Sequence, residues 1–312
     1  MKNKKIAILG ATSHIAKGLI YNSSRKTEDH LVLFARDCES VDLFLQELGC
    51  ENKYSIKGFS DFFSGDYDVI INCVGLKKSS SLKKMEYEIF RLTESFDSMV
   101  IEYLAGHPET LYINFSSGAV YGDDFKYPSY ENTRGGVDVN NLKPENYYAI
   151  ARRNSEAKHR ALSEFNIVDL RIFSYFSRFI DITTGFLLSE IVRCVRERRV
   201  FVTSSADIIR DFVHPDDLFG LVCNVIDQKT INDVFDVYSA KQVRKLEILA
   251  YFEENYALNV KVVEGAGRAT ITGEKDVYFS CNKKAYRIGY QPEYTSMEAI
   301  IEAGEILIPE SM

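Results

Sequence analysis

Lys5-Ile6-Ala7-Ile8-Leu9-Gly10-Ala11-Thr12-Ser13-His14-Ile15-Ala16 decides the fold. Five residues ending in an apolar run read as a buried strand, Gly10 as a turn, and Ile15, Leu19 and Ile20 recur at helical spacing. His30 to Ala35 (HLVLFA) reads as a second strand, which completes a βαβ unit. Outward from there, apolar runs at Tyr67 to Val74, Thr110 to Phe115 and Asn166 to Ile172 alternate with helix-length segments 83–105 and 145–164. Continuous apolar strands alternating with helices predict a doubly wound α/β fold, a parallel sheet covered on both faces.

The 312 residues are about twice a typical domain. With 46% hydrophobic and 27% charged residues, the composition is that of a globular chain and excludes disordered or collagen-like classes. Past residue 173 the alternation loosens into mixed short elements with no polar linker. The expected organisation is two domains, a larger one from 1–172 plus about 206–239 and a smaller mixed α/β one from about 173–205 plus 240–312.

A net charge of -7 argues against a phosphate-backbone grip on nucleic acid, which needs clustered Lys and Arg. Six dispersed cysteines without a CxxC give no zinc or disulfide framework, and no metal is expected. The apolar run Ile6 to Leu9 is too short for a signal sequence, and no stretch reaches membrane-spanning length, so a cytoplasmic protein is expected.

At Gly10 the first N–H groups and the dipole of the following helix favour a pyrophosphate. Ser13 and Ala16 stand where a three-glycine fingerprint has its other glycines, so this turn alone reads equally as a plain connection. The second strand ends in Ala35-Arg36-Asp37. A small residue followed by Arg accommodates the 2′-phosphate of NADP, whereas an acidic tip would bind the ribose of NAD. Farther on, Tyr148 and Arg152 stand at i and i+4 of a helix opened by Pro144, so a cation lies beside a phenol and favours its ionised form. A Tyr so activated exchanges a proton with a hydroxyl or carbonyl, and a serine hydroxyl, as in Ser116-Ser117, orients that oxygen.

Taken in order, GATSHIA after the first strand, NCVG at 72–75, SSGAVYG at 116–122, YYAIAR at 147–152 followed by Glu156, LRIF at 170–173 and RDFVHPDDL at 210–218 resemble the extended short-chain dehydrogenase/reductase superfamily. The similarity is to its nucleotide-sugar epimerase, dehydratase and ketoreductase branch, and it runs over most of the chain. It implies a Rossmann-type fold whose dinucleotide is held by Gly10, Thr12, Ser13, His14, Ile15, Arg36, Cys73, Val74 and Gly75, together with Tyr148 and Arg152. It makes Ser117, Tyr148 and Arg152 catalytic, and it implies that a nucleotide-diphosphate sugar touches Ser117, Gly118, Tyr121, Ser174 and Arg210. Pairing of two copies through segments 83–105 and 145–164 is also implied.

Three departures from the family pattern stand out: GxxGxxG is GxxSxxA, the lysine of YxxxK is Arg152, and the asparagine after LRxF is Ser174. An arginine is always charged and cannot pass a proton onward. Gly118-Ala119 replace the Asp-Glu pair of the sugar dehydratases, which argues against water elimination. With Ala35-Arg36, the expected activity is NADPH-dependent reduction of a keto group on a nucleotide-linked sugar. An NAD-dependent epimerase and a silent dinucleotide-binding relative are the alternatives. His214 is expected to hold its loop by hydrogen bonding, Asp123 and Asp124 to be solvated, and Arg193, Arg196, Arg198 and Arg199 to form a solvated helical face.

Overall fold

The computed structural model describes residues 3–75, 82–122, 125–264 and 275–309. Its elements run β1 (Lys5–Leu9), α1 (His14–Lys26), β2 (His30–Phe34), α2 (Cys38–Glu47), β3 (Ser55–Lys57), β4 (Val69–Asn72), α3 (Leu82–Gly106), β5 (Leu111–Ser117), α4 (Pro144–Ala161) and β6 (Ile167–Ile172). They continue with β7 (Ser174–Tyr175), α5 (Leu187–Arg196), β8 (Phe201–Thr203), β9 (Ile209–Arg210), β10 (Phe212–Val213), α6 (Pro215–Ile226) and β11 (Asn232–Val237). The last are β12 (Val243–Arg244), α7 (Lys245–Tyr256), β13 (Val260–Val262), β14 (Val277–Tyr278) and α8 (Ser296–Leu307). The chain divides into two compact units, Met1–Ser117 with Ile150–Arg171 and Phe219–Phe235, and Gly118–Ala149 with Ile172–Leu218 and Asp236–Met312.

The first unit is built on a seven-stranded sheet of order β11-β6-β5-β4-β1-β2-β3, in which β1, β2, β3, β4 and β5 pair parallel. Successive side chains of a strand point to opposite faces. Ala7, Leu9, Val32, Phe34, Ile70 and Tyr112 form one buried cluster with Val100, Tyr103 and Leu104 of α3. Their neighbours Ile6, Ile8, Leu31, Leu33, Ile71 and Ile113 are equally buried and point the other way. A sheet apolar on both faces requires helices on both, the doubly wound arrangement read from the sequence.

The second unit has a core from α5, α7 and α8, with Leu188, Ile191, Val192, Ile248, Leu249, Phe252, Ile300 and Ala303 packed around Phe176, Phe201 and Phe212. Its strands are two or three residues long and form the sheets β12-β9-β14, β10-β7 and β13-β8. A capping box between Thr295 and Glu298 starts α8. Among the described residues no helix is long and apolar enough to cross a membrane, and no cluster of His, Cys, Asp and Glu could hold a metal.

Candidate functional site

Gly10 ends β1 with φ +76°, a backbone state that side chains disfavour. A Cβ there would stand 3.1 Å from the Cys73 carbonyl carbon and oxygen and from Val74 Cα, so space as well as conformation demands glycine. The Gly10 and Ala11 amides donate to the Phe34 carbonyl at 2.9 and 3.0 Å, which seats the turn on the end of β2. Ser13 is the N-cap of α1 and accepts from the Ala16 amide at 3.3 Å. Ala16 itself is fully buried. The two missing glycines are therefore replaced by a helix cap and by a small packed residue. Thr12, His14 and Ile15 are half-buried along it. Arg36 is exposed one residue beyond the buried Ala35, while Asp37 caps α2 through Ser40, whose amide and hydroxyl donate at 3.0 and 2.5 Å.

Beside the turn, β4 runs into Cys73, Val74 and Gly75. The Asn72 carboxamide oxygen accepts from the Val74 amide at 3.0 Å, and an Arg152 guanidinium nitrogen donates to the Val74 carbonyl at 3.5 Å. The structure thus brings Gly10, Cys73, Val74 and Arg152 together. Burial pushes the Cys73 thiol far up, so it is inert packing and only its backbone faces the turn.

Ser117 is the last residue of β5 and is buried. Tyr148, Arg152 and Glu156 follow one another at four-residue intervals on α4, half-buried, buried and buried. Glu156 accepts from the Ser116 hydroxyl at 2.5 Å and takes the Arg171 guanidinium at 3.0 and 2.5 Å. This clamp joins α4, β5 and β6. No motif assigns Glu156 or Arg171 this role; their signal in the sequence is an Arg inside the apolar strand IVDLRI and a Glu one turn beyond Arg152.

In the second unit, Gly118 packs on the Phe173 ring, which stands with Phe125, Tyr278 and Tyr121 in an aromatic cluster. The Tyr121 hydroxyl donates to Asp236 at 2.8 Å, and Ser280 donates to the same buried carboxylate at 2.6 Å. Ser174 lies in β7 opposite Phe212 of β10. Arg210 stands in β9 between β12 and β14, donates to the Ile209 carbonyl at 2.8 Å, and has its guanidinium 5.9 Å from the Tyr278 ring centre. Burial brings its pKa down to about 10, still charged at neutral pH. A desolvated guanidinium of this kind binds an anionic group strongly. His214 stacks on Tyr294, meets Glu302 at 2.9 Å and accepts from the Asp216 amide at 3.1 Å, the loop-holding role expected of it. Arg193 pairs with Glu190 and Arg199 with Glu197. Asp123 and Asp124 lie outside the described residues.

A parallel doubly wound sheet, a glycine turn at the end of β1, a serine closing β5 and a Tyr/basic pair on the next helix define the extended short-chain dehydrogenase/reductase class of enzymes. The chain belongs to the NAD dependent epimerase/dehydratase family, whose model matches residues 6–238. Among solved structures it is similar to UDP-glucose-4-epimerase from Stenotrophomonas maltophila with bound NAD and formylated UDP-arabinopyranose, at TM-score 0.80 and 14% identity over 98% of each chain. It is also similar to UDP-glucuronic acid 4-epimerase from Bacillus cereus in complex with UDP-glucuronic acid and NAD, at TM-score 0.76 and 16% identity over 97% of this chain and 98% of that one. dTDP-glucose 4,6-dehydratase from Bacillus anthracis in complex with NAD gives TM-score 0.77 and 13% identity over 99% and 97%. No curated protein matches the chain.

Proposed function

We propose that the protein is a nucleotide-sugar epimerase that keeps its dinucleotide through the turnover. The Gly10 turn fits such a cofactor: it has no Cβ, it is held open against Cys73 and Val74, and it feeds the N-terminus of α1. When bound, a nicotinamide dinucleotide supplies a hydride acceptor that becomes the donor on the return step. Tyr148 takes the proton of the sugar hydroxyl and gives it back after the keto sugar has presented its other face. Ser117 hydrogen-bonds the reacting oxygen, Arg152 holds positive charge one turn from the phenol, and Arg210 binds the diphosphate. The second unit's substrate-binding role belongs to the same proposal.

Arg152 is compatible with the epimerase cycle. A reductase consumes one proton per turnover, so its tyrosine must be reprotonated from solvent, and a titratable lysine at this position suits that relay. Epimerisation returns the proton it removed and consumes none. A guanidinium, which does not deprotonate, suits the second cycle. The expected reduction of a keto sugar gives way here to its alternative. The NAD-bound 4-epimerases of the same fold support this, as they do NAD over NADP.

One observation favours reduction with NADPH: Ala35 and Arg36 stand at the tip of β2, and the Asp37 carboxylate is engaged as the cap of α2. Incubation with UDP-, dTDP-, GDP- and CDP-hexoses and catalytic NAD separates the two, with sugar configuration followed by NMR. Conversion to the epimer without net change in dinucleotide absorbance is expected. Stoichiometric NADPH oxidation on a 4-keto sugar, weakened by Arg36→Ala, would instead establish the reductase.

A further inference from the structure

His159 lies fully buried on α4 with a carboxylate at each ring nitrogen, Asp97 of α3 at 2.7 Å from Nε2 and Asp169 of β6 at 2.9 Å from Nδ1. Both nitrogens donate, so the ring is an imidazolium. Lys158 reaches Asp97 at 2.8 Å and Glu94 at 2.9 Å, and Arg160 reaches Asp169 at 3.1 Å. Three cations thus face three carboxylates. The chain of contacts continues inward. The Tyr112 hydroxyl donates to Asp97 at 3.1 Å and accepts from the Asn72 side-chain amide at 3.0 Å. With its NH2 so fixed, Asn72 must turn its oxygen to the Val74 amide, which it meets at 3.0 Å. The other end of Val74, its carbonyl, receives Arg152, and the Cys73–Val74 backbone is what a Cβ on Gly10 would strike.

We propose that His159, acting through Asp97, Tyr112 and Asn72, is a positioning residue for the Cys73–Val74 peptide, and through it for both the Gly10 turn and Arg152. Asn72 has two orientations that exchange its donor and acceptor ends, and only one of them can hold the Val74 N–H. The Tyr112 hydroxyl selects it, because a hydroxyl that donates to Asp97 at 3.1 Å, with Asn114 Oδ1 at 3.5 Å as its other acceptor, offers Asn72 only a lone pair. His159 in turn keeps Asp97 charged and in place. A buried hydrogen-bond network that links fixed donors to fixed acceptors favours one arrangement, and here the arrangement ends at the backbone on which the proposed dinucleotide site rests. The functional part of the inference depends on that proposal; the structural part does not.

Tyr112→Phe removes one hydroxyl and leaves the His159 pair with its carboxylates intact. Native-state hydrogen exchange at the Val74 amide should then accelerate about tenfold, and the dissociation constant for NAD or NADP should rise about five- to tenfold, the scale of one lost hydrogen bond. KM for the sugar should stay unchanged. His159→Gln carries the same measurements should Tyr112→Phe fold poorly. A lowered thermal midpoint with Val74 exchange and dinucleotide affinity both unchanged would make the network core structure only and overturn the inference. Absence of turnover on any nucleotide sugar by the unaltered protein would defeat the epimerase reading instead, while Val74 exchange and dinucleotide binding would still decide this one.

Discussion

Gly118 lies against the ring of Phe173, so close that a Cβ would fall among the ring carbons. Phe173 has no room to retreat, being buried and stacked near Tyr121 with Phe125 and Tyr278 at its edges. Gly118→Ala should therefore destabilise the protein by about 1–3 kcal/mol, the usual cost of overpacking. Urea denaturation measures it, and Phe173→Leu in the same chain should recover part of the loss. The same contact leaves no space for a larger side chain directly after Ser117.

Glu156 is the joint of the clamp on α4. Removing its charge leaves Arg171 in a largely buried setting without its partner, and breaking one side of such a pair costs about 3–5 kcal/mol. Glu156→Gln should show a loss of this order in urea denaturation. Replacing both partners, Glu156→Leu with Arg171→Met, should recover much of it, because no uncompensated charge then remains.

The α/β core was legible because its signals are local. KIAIL, HLVLF and LYINFSS are continuous apolar strands, and each lies within a residue or two of where periodicity puts it. The run at 67–74 shortens to β4, past whose end the Val74 amide donates to the Asn72 side chain. In the C-terminal third, strands of two or three residues such as β9, β12 and β14 cannot display alternation, so their pairing is set by partners far away in sequence. The residue types of the candidate site were legible too, but their partners were not. Nothing in YYAIAR says that Arg152 meets the Val74 carbonyl, and nothing on α4 says that His159 faces a carboxylate 62 residues earlier.

His159 makes stability depend on pH in a defined direction. Burial alone would lower its pKa, but the hydrogen bonds and charges of Asp169 and Asp97 overrule that and raise it to about 9 from 6.5. A group bound more tightly to its proton in the folded state stabilises most below its unfolded pKa and loses that contribution as pH rises through the folded one. Thermal midpoints should thus fall between about pH 6.5 and pH 9 through this group. His159→Gln should be less stable at pH 6 and show a flatter profile across that window; an unchanged slope would exclude His159 as its source.

Gly10→Ala tests the turn proposed to hold the dinucleotide. The φ of +76° costs an alanine about 1 kcal/mol or more, and its Cβ would press on the Cys73–Val74 backbone at 3.1 Å. That peptide cannot yield freely, because Asn72 holds its N–H and Arg152 holds the carbonyl of the next peptide, at Val74. The strain should therefore spread to both, so that affinity for NAD falls at least about tenfold while the fold persists with a modestly lowered thermal midpoint. Calorimetric titration with NAD and NADP reads the first quantity and a melting scan the second. Wild-type affinity in Gly10→Ala would mean that the β1–α1 turn does not contact the dinucleotide.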